Sequence, residues 1–345
     1  ACSLAIANKR EGDVTFIVDG TLYIGEGRDI EVAVPSTKTY TAQVVLGYIL
    51  SLHLACNIAE ISSDKDNLRK DLVYLRDLVK LIDESLKVIE NYPNFSKITS
   101  NALKFNSWYV LRDASTNSVC ADEIRIKYSE NCYHSVSSIT LNEAESLHVN
   151  NSFITFITEE KISLLAPRIQ NLISRGNLVT LISVNGGDPT RLQEYIDADL
   201  LYLLQMPLSE KYFSFIPTIL VGQFLSYFQA IELDKRTKYF SDIVSSLDLQ
   251  KDLSGPIQRL GNAIKQGYLN QGYFVNDLKE LINYLNDYLN NSGPLKETLS
   301  NLRDSANRLA MLSRRTIDTI KHQAKTITVG AVRGAAEGDE ALHSS

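Results

Sequence analysis

The sequence predicts an α/β fold, a three-layer sandwich around a parallel sheet. Three observations point there. Short apolar strands alternate with helices from about residue 108 to residue 231, the pattern of a parallel sheet covered on both faces. A shorter strand–helix stretch of the same kind precedes it at residues 2–60. From about residue 247 the strands stop, and residues 255–325 read as helices.

The elements follow in order. Residues 2–8 and 13–25 read as short strands separated by polar turns. A helix over 37–60 is apolar on nearly every side, through Val44, Val45, Leu46, Ile49, Leu50, Leu52, Leu54 and Ala55. Such a helix either spans a membrane or is enclosed by its own domain. A span needs about 20 apolar residues, and Lys38, Gln43 and His53 interrupt this run. Enclosure, with no membrane as partner, is the expectation. The entry Pro35-Ser-Thr-Lys38 then lies where free N–H groups and the helix dipole favour an anion.

Residues 64–91 predict a long amphipathic helix, with Leu68, Leu72, Leu75, Leu78, Val79, Leu81 and Ile82 spaced by threes and fours. Asn91-Tyr-Pro-Asn94 stops it, since proline cannot continue a helix. Strands are then expected at 108–111, 137–141, 153–158, 178–184 and 200–205, and helices at 118–133, 161–175 and 212–231. Ligands of such sheets bind beyond the carboxyl ends of the strands. Asn291-Ser-Gly-Pro294 breaks the helical region, and Thr326-Ile-Thr-Val-Gly330 resembles a further strand before a small, polar tail. The expected segments are 1–62, a linker helix at 63–94, the main sandwich at 95–246, a helical region at 247–325, and a strand start with disordered tail at 326–345.

Bulk properties narrow the function. The chain has 345 residues, 44% hydrophobic and 22% charged, enough for two domains of ordinary composition. A net charge of −6 argues against a broad nucleic-acid surface, which would need a basic stripe, and the modest basic stretch of Arg314, Arg315, Lys321 and Lys325 reads as a solvated helix face. Cys2, Cys56, Cys120 and Cys132 show no C-x-x-C spacing and fall in runs that read as core, as reduced thiols of a cytoplasmic protein would. His53, His134, His148 and His322 have no ligand-like spacing, so neither a metal nor a cofactor is expected. Asn185-Gly-Gly-Asp188 reads as a turn. The chain opens Ala-Cys-Ser-Leu-Ala-Ile-Ala without Met, inside an apolar run. It reads as a piece of a longer protein.

Asp29-Ile-Glu-Val-Ala-Val-Pro-Ser-Thr-Lys-Thr-Tyr-Thr-Ala-Gln43 resembles the E-x-x-V-A-S-T-K-A-F-T-x-Q signature of sugar isomerase (SIS) domains. The likeness is greatest to the isomerase half of glutamine–fructose-6-phosphate aminotransferases and covers roughly residues 1–245. The resemblance implies a three-layer SIS sandwich, preceded by a partial SIS domain and followed by a helical segment. It also implies a homodimer, and a sugar phosphate such as fructose-6-phosphate or glucosamine-6-phosphate as partner. Val34 and Pro35 would form the backbone wall of the pocket, and Ser36 and Thr37 would supply hydroxyls. Pro35 stands where the family has alanine, and the family's Ser-Gln-Ser-Gly phosphate loop is not in this chain. The residues alone leave Ser36 as a plain N-cap.

The family's isomerase moves a proton between sugar carbons, which needs a general base, and its motif there is Glu-x-x-x-Lys-x-x-Glu. In Cys120-Ala-Asp-Glu-Ile-Arg-Ile-Lys-Tyr-Ser-Glu-Asn-Cys-Tyr133, the residues Glu123, Lys127 and Glu130 reproduce that spacing, on one helix face. The match needs two residues inserted in the Arg112–Asn117 loop, and Tyr133 then matches too; without the gap, Tyr128 takes the base position. By itself a Glu–Lys pair on a helix reads as a solvated ion pair. Glu130 is the implied base, supported by Lys127 and Glu123. The family's histidine position is Ser146 here, with His148 as a displaced proton shuttle, and Ser241 stands at its lysine position, near Lys235 and Lys238. Cys2 follows Ala1 and cannot be an amino-terminal glutaminase nucleophile. The expected function is sugar-phosphate binding with degenerate catalysis. An active aldose–ketose isomerase or aminotransferase module, and a non-catalytic structural or regulatory domain, are the alternatives.

Overall fold

A computed structural model describes residues 2–8, 10, 12–25, 36–57, 65–113, 118–132, 134–184, 186–207, 213, 215–249, 253–266, 275–290 and 296–313. The chain divides between Glu84 and Ser85 into two compact units. In the first, β1 (Leu4–Ala7) pairs in parallel with β2 (Gly20–Tyr23), and α1 (Lys38–Asn57) follows. The strand expected over 13–25 is instead a 3-10 turn at Asp13–Phe16 and then β2. Thr15 Oγ1 donates to the carbonyls of Gly12 and Arg10 at 2.7 and 3.0 Å. A hydroxyl bonded to nearby carbonyls favours a turn over a strand.

Enclosure of α1 is not what the structure shows. Leu52 is its one buried side chain, while Ile49 and Leu54 are 40% and 53% exposed. The reason is area. A two-stranded ribbon offers one narrow face, and a helix apolar nearly all round needs neighbours on several sides. Among the described residues, α1 alone is long and apolar enough to cross a membrane. Cys2 and Cys56 are likewise exposed rather than in a core, while Cys120 and Cys132 are buried, and none of the four forms a disulfide.

Helix α2 (Lys65–Asn91) leads into the second unit. That unit continues with α3 (Phe95–Ala102), β3 (Ser107–Arg112), α4 (Ser118–Cys132), β4 (Val136–Thr140) and α5 (Leu141–Ser146). Then come β5 (Ser152–Thr158), α6 (Ile162–Ser174), β6 (Leu178–Ser183), α7 (Gln193–Asp197), β7 (Leu201–Gln205) and α8 (Phe215–Leu249). The five strands form one parallel sheet in the order β4-β3-β5-β6-β7. Every residue of the central strand β5 is buried, as a strand covered on both faces requires.

Alternation along the strands sorts the helices into two layers. Leu111, Ile154, Phe156, Val179 and Leu181 share a core with Leu141 and Ala144 of α5 and with the apolar face of α6. The neighbouring residues point the other way: Trp108 and Phe153 meet Tyr128 of α4, and Tyr202 accepts from Asn101 of α3 at 2.8 Å. Helices α3, α4 and α8 therefore cover one face, and α5 and α6 the other.

Helix α8 continues to Leu249, well past the expected end at 231. The extension is amphipathic: Phe240, Ile243, Val244 and Leu247 recur by threes and fours and pack with α9 (Ser254–Lys265), α10 (Val275–Asn290) and α11 (Lys296–Ser313). The second unit thus grows a helical bundle from its own last helix. The expected break at 291–294, the strand at 326–330 and Tyr133 lie outside the described residues.

Two contacts fix α4. At Gly222 of α8 an added Cβ would lie 2.2 Å from Ile124 Cγ1, so the two helices approach at a spacing only glycine allows. Gly222→Ala should cost about 1–3 kcal/mol through overpacking. Combined with Ile124→Ala, which removes the clashing atoms, the cost should fall below the sum of the singles in urea denaturation. Additive costs would show that this contact does not set the spacing.

Beyond the end of α4, His134 stacks on Trp108 at 4.0 Å, and the rings are 9° from parallel. Burial pushes its pKa down to about 4 from 6.5. The folded state holds His134 neutral where the unfolded chain protonates it, so this stability is present above pH 6.5 and is lost as pH falls towards 4. Linkage gives a loss of about 2 kcal/mol between pH 7.5 and pH 5. His134→Phe should remove that share of the acid destabilisation, read from the fluorescence of Trp108, the single tryptophan. An unchanged acid limb would overturn this account.

Candidate functional site

The candidate site starts from α4. Its stripe Cys120, Ile124, Tyr128 and Cys132 is buried to within 1%. Tyr128 shares a 2.8 Å hydrogen bond with Thr155 of β5, and burial raises its hydroxyl pKa far above the usual tyrosine value. A hydroxyl so placed cannot take a proton from a substrate. Of the two alignments, the ungapped one thus puts a core residue at the base position.

The gapped alignment puts charges there. Glu123, Lys127 and Glu130 share the stripe beside the buried one. Lys127 Nζ lies 3.2 Å from Glu123 Oε1 and 3.6 Å from Glu130 Oε2. These are not solvated pairs: the three side chains are 7%, 5% and 15% exposed, in the order Glu123, Lys127, Glu130.

Helix α8 locks the backbone of this stretch. Ser226 Oγ donates to the Lys127 carbonyl at 2.9 Å and accepts from Asn131 Nδ2 at 2.6 Å. Cys132 Sγ donates weakly to Ser226 O and Gln229 Oε1. Gln223, Ser226 and Gln229 were not singled out from the sequence. Their signal is three polar residues at three-residue steps inside an otherwise apolar helix.

Other expected site residues fall elsewhere. Ser36 and Thr37 immediately precede α1 and are half-buried, and the Thr37 carbonyl accepts from the Thr41 N–H at 3.3 Å. Val34 and Pro35 lie outside the described residues, as does the loop at 114–117 with its two-residue insertion. His148 is exposed and follows α5 with φ 50°. Because α5 packs on the opposite face of the sheet from α4, the sheet separates His148 from Glu130 within this chain. Glu143 is committed to a capping box with Thr140, whose hydrogen bonds hold its carboxyl below the usual range. Lys238 pairs with Asp234 at 2.8 Å, and the buried Arg236 donates to the Ser100 carbonyl at 3.1 Å.

The crevice where the strand order reverses, between β3 and β5, is filled from within. Asp113 Oδ2 accepts from Thr158 Oγ1 and from the Glu159 and Glu160 N–H groups at 2.9 and 3.3 Å. An incoming phosphate would meet a carboxylate already in that cradle. The Gly186-Gly187 turn is closed too: the Gly186 carbonyl accepts from the Ile162 N–H, the first residue of α6. Among the described residues no group of three or more His, Cys, Asp or Glu side chains is placed to hold a metal.

No family model matches the chain. Over 90 residues it is 36% identical to an isomerizing glutamine–fructose-6-phosphate aminotransferase of Fusobacterium nucleatum, covering 26% of this chain and 14% of that protein. The enzyme of the same name from Staphylococcus aureus is 24% identical over 192 residues, covering 53% of this chain and 30% of its own length. The chain thus spans less than a third of these relatives. Among solved structures, the C-terminal domain of glucosamine-fructose-6-phosphate aminotransferase from Francisella tularensis superposes with a TM-score of 0.52 at 20% identity. That match covers 67% of this chain and 63% of the other. In fold the chain is an SIS-type α/β protein, and in sequence it resembles the isomerase region of glutamine–fructose-6-phosphate aminotransferases.

Proposed function

We propose that this chain binds a sugar phosphate and that its isomerase chemistry is degenerate. The observation that carries the reading is the buried Glu123–Lys127–Glu130 face of α4, at the spacing of the motif quoted above, on an SIS-type fold. Buried charges are costly unless they are paired or put to use. In the first unit, the hydroxyls of Ser36 and Thr37 at the start of α1 would take a phosphoryl group, with the helix dipole in support. Fructose-6-phosphate, which gives the two relatives from Fusobacterium and Staphylococcus part of their name, is the first ligand to test.

The same residues favour binding over turnover. Glu130 and Lys127 lie side by side on α4, but the family's histidine and its C-terminal lysine have no counterpart beside them: His148 is on the far side of the sheet, and Ser241 has no charge. Fructose-6-phosphate at 100 times its Kd should stabilise the chain by about 2.7 kcal/mol, seen as a rise in Tm that Ser36→Ala reduces. No rise with any hexose or hexosamine phosphate would sink the assignment.

Turnover is checked separately. In deuterium oxide, fructose-6-phosphate should gain no deuterium at C1, because without a group to carry the hydroxyl proton between O1 and O2 the enediol does not form at an appreciable rate. Exchange that Glu130→Gln abolishes would instead establish an active isomerase.

A further inference from the structure

Helix α8 carries a side chain whose polar end the fold leaves unanswered. Gln223 is 8% exposed, yet its Nε2 meets no acceptor among the described residues. It follows Gly222, where an added Cβ would clash with Ile124 of α4. On α4 the residue before Ile124 is Glu123, which is 6% exposed. Its Oε1 lies within ion-pair distance of Lys127 but has no aligned donor. A buried donor on one helix and a buried acceptor on the other thus each sit next in sequence to a residue of this close contact. Leaving either unpaired costs free energy that an apolar pair of the same shape would avoid. A hydroxyl is the smallest group that accepts from one and donates to the other.

We infer that Gln223 is a further ligand-binding residue, whose amide donates to a hydroxyl of the bound sugar phosphate while that hydroxyl donates to Glu123. The inference rests on the sugar-phosphate reading above and adds to it, within the second unit alone, a residue that recognises a ligand hydroxyl. It differs from a structural role in one respect. A glutamine that braces the fold loses stability when its amide is removed, whereas one held ready for a ligand does not.

Gln223→Met keeps the length and removes the donor. Its Tm without ligand should equal or exceed that of the wild type, while its affinity for fructose-6-phosphate, by calorimetry, should fall about tenfold or more. Gln229→Met is the control: its Nε2 also meets no acceptor among the described residues, but Gln229 is fully buried and its Oε1 accepts from Cys132, so no ligand reaches it and binding should hold. Unchanged affinity in Gln223→Met overturns the inference and leaves the sugar-phosphate reading standing; no binding by the wild type removes both. Should the variant fold poorly, the side-chain amide signal of Gln223 in the 15N-labelled wild type decides. It should shift when fructose-6-phosphate is added, and a signal that stays in place overturns the proposal.

Discussion

The arrangement turns on how closely α4 and α8 pack. Gly222 lets the two axes approach, and Ser226 then reaches the Lys127 carbonyl and Asn131. With the backbone of α4 held in that rotation, Tyr128 has to face the sheet and Glu123, Lys127 and Glu130 have to lie on the stripe beside it. A turn of 100° per residue leaves no other choice once one face is fixed. The charged cluster is buried because its helix is pinned, not because the charges seek burial.

Such a cluster is weak evidence of stability. Desolvating three charges costs several kcal/mol per ion, and replacing a buried ion network with apolar side chains is often neutral or stabilising. Removing one partner alone does the opposite, since it strands a buried charge. The net charge of the trio, one negative, also sets what can approach. A phosphate gains nothing from Lys127, whose ammonium is already balanced twice over. Sugar hydroxyls and carbon acids are better matched to carboxylates, and phosphate to the hydroxyls and N–H groups at a helix start.

The sequence was legible where period and spacing speak locally. The i, i+4, i+7 pattern of Glu123, Lys127 and Glu130 needed only the helix to be right, and all five strands of the main sheet lie within two residues of expectation. It was illegible where neighbours decide. The pattern of α1 could not report that, among the described residues, the sheet of its unit has two strands. His148, two residues from Ser146 in sequence, is separated from Glu130 by a sheet that no spacing rule counts. Helix α8 was cut short because the apolar run thins after residue 231, although its stripe continues at the same angle into the bundle. Spacing alone did not report the surroundings of Tyr128 and Glu130, since both residues are helical and only the packing shows that Tyr128 faces the sheet core.

Asp113 explains why the usual place for a ligand in a parallel sheet is not the one to examine here. Strand ends gather N–H groups that need an acceptor, and in many sheets a phosphate is that acceptor. In this one the acceptor is covalently part of the chain: Asp113 takes Thr158 and two successive N–H groups. An intramolecular carboxylate has a high effective concentration, and it adds negative charge beside Glu159 and Glu160, so a free anion competes poorly. Among the described residues, the turn after β5 is thereby set without a ligand. The flank where α4 meets α8 differs in this respect: Glu123 Oε1 and Gln223 Nε2 are buried there without an aligned hydrogen-bond partner among the described residues.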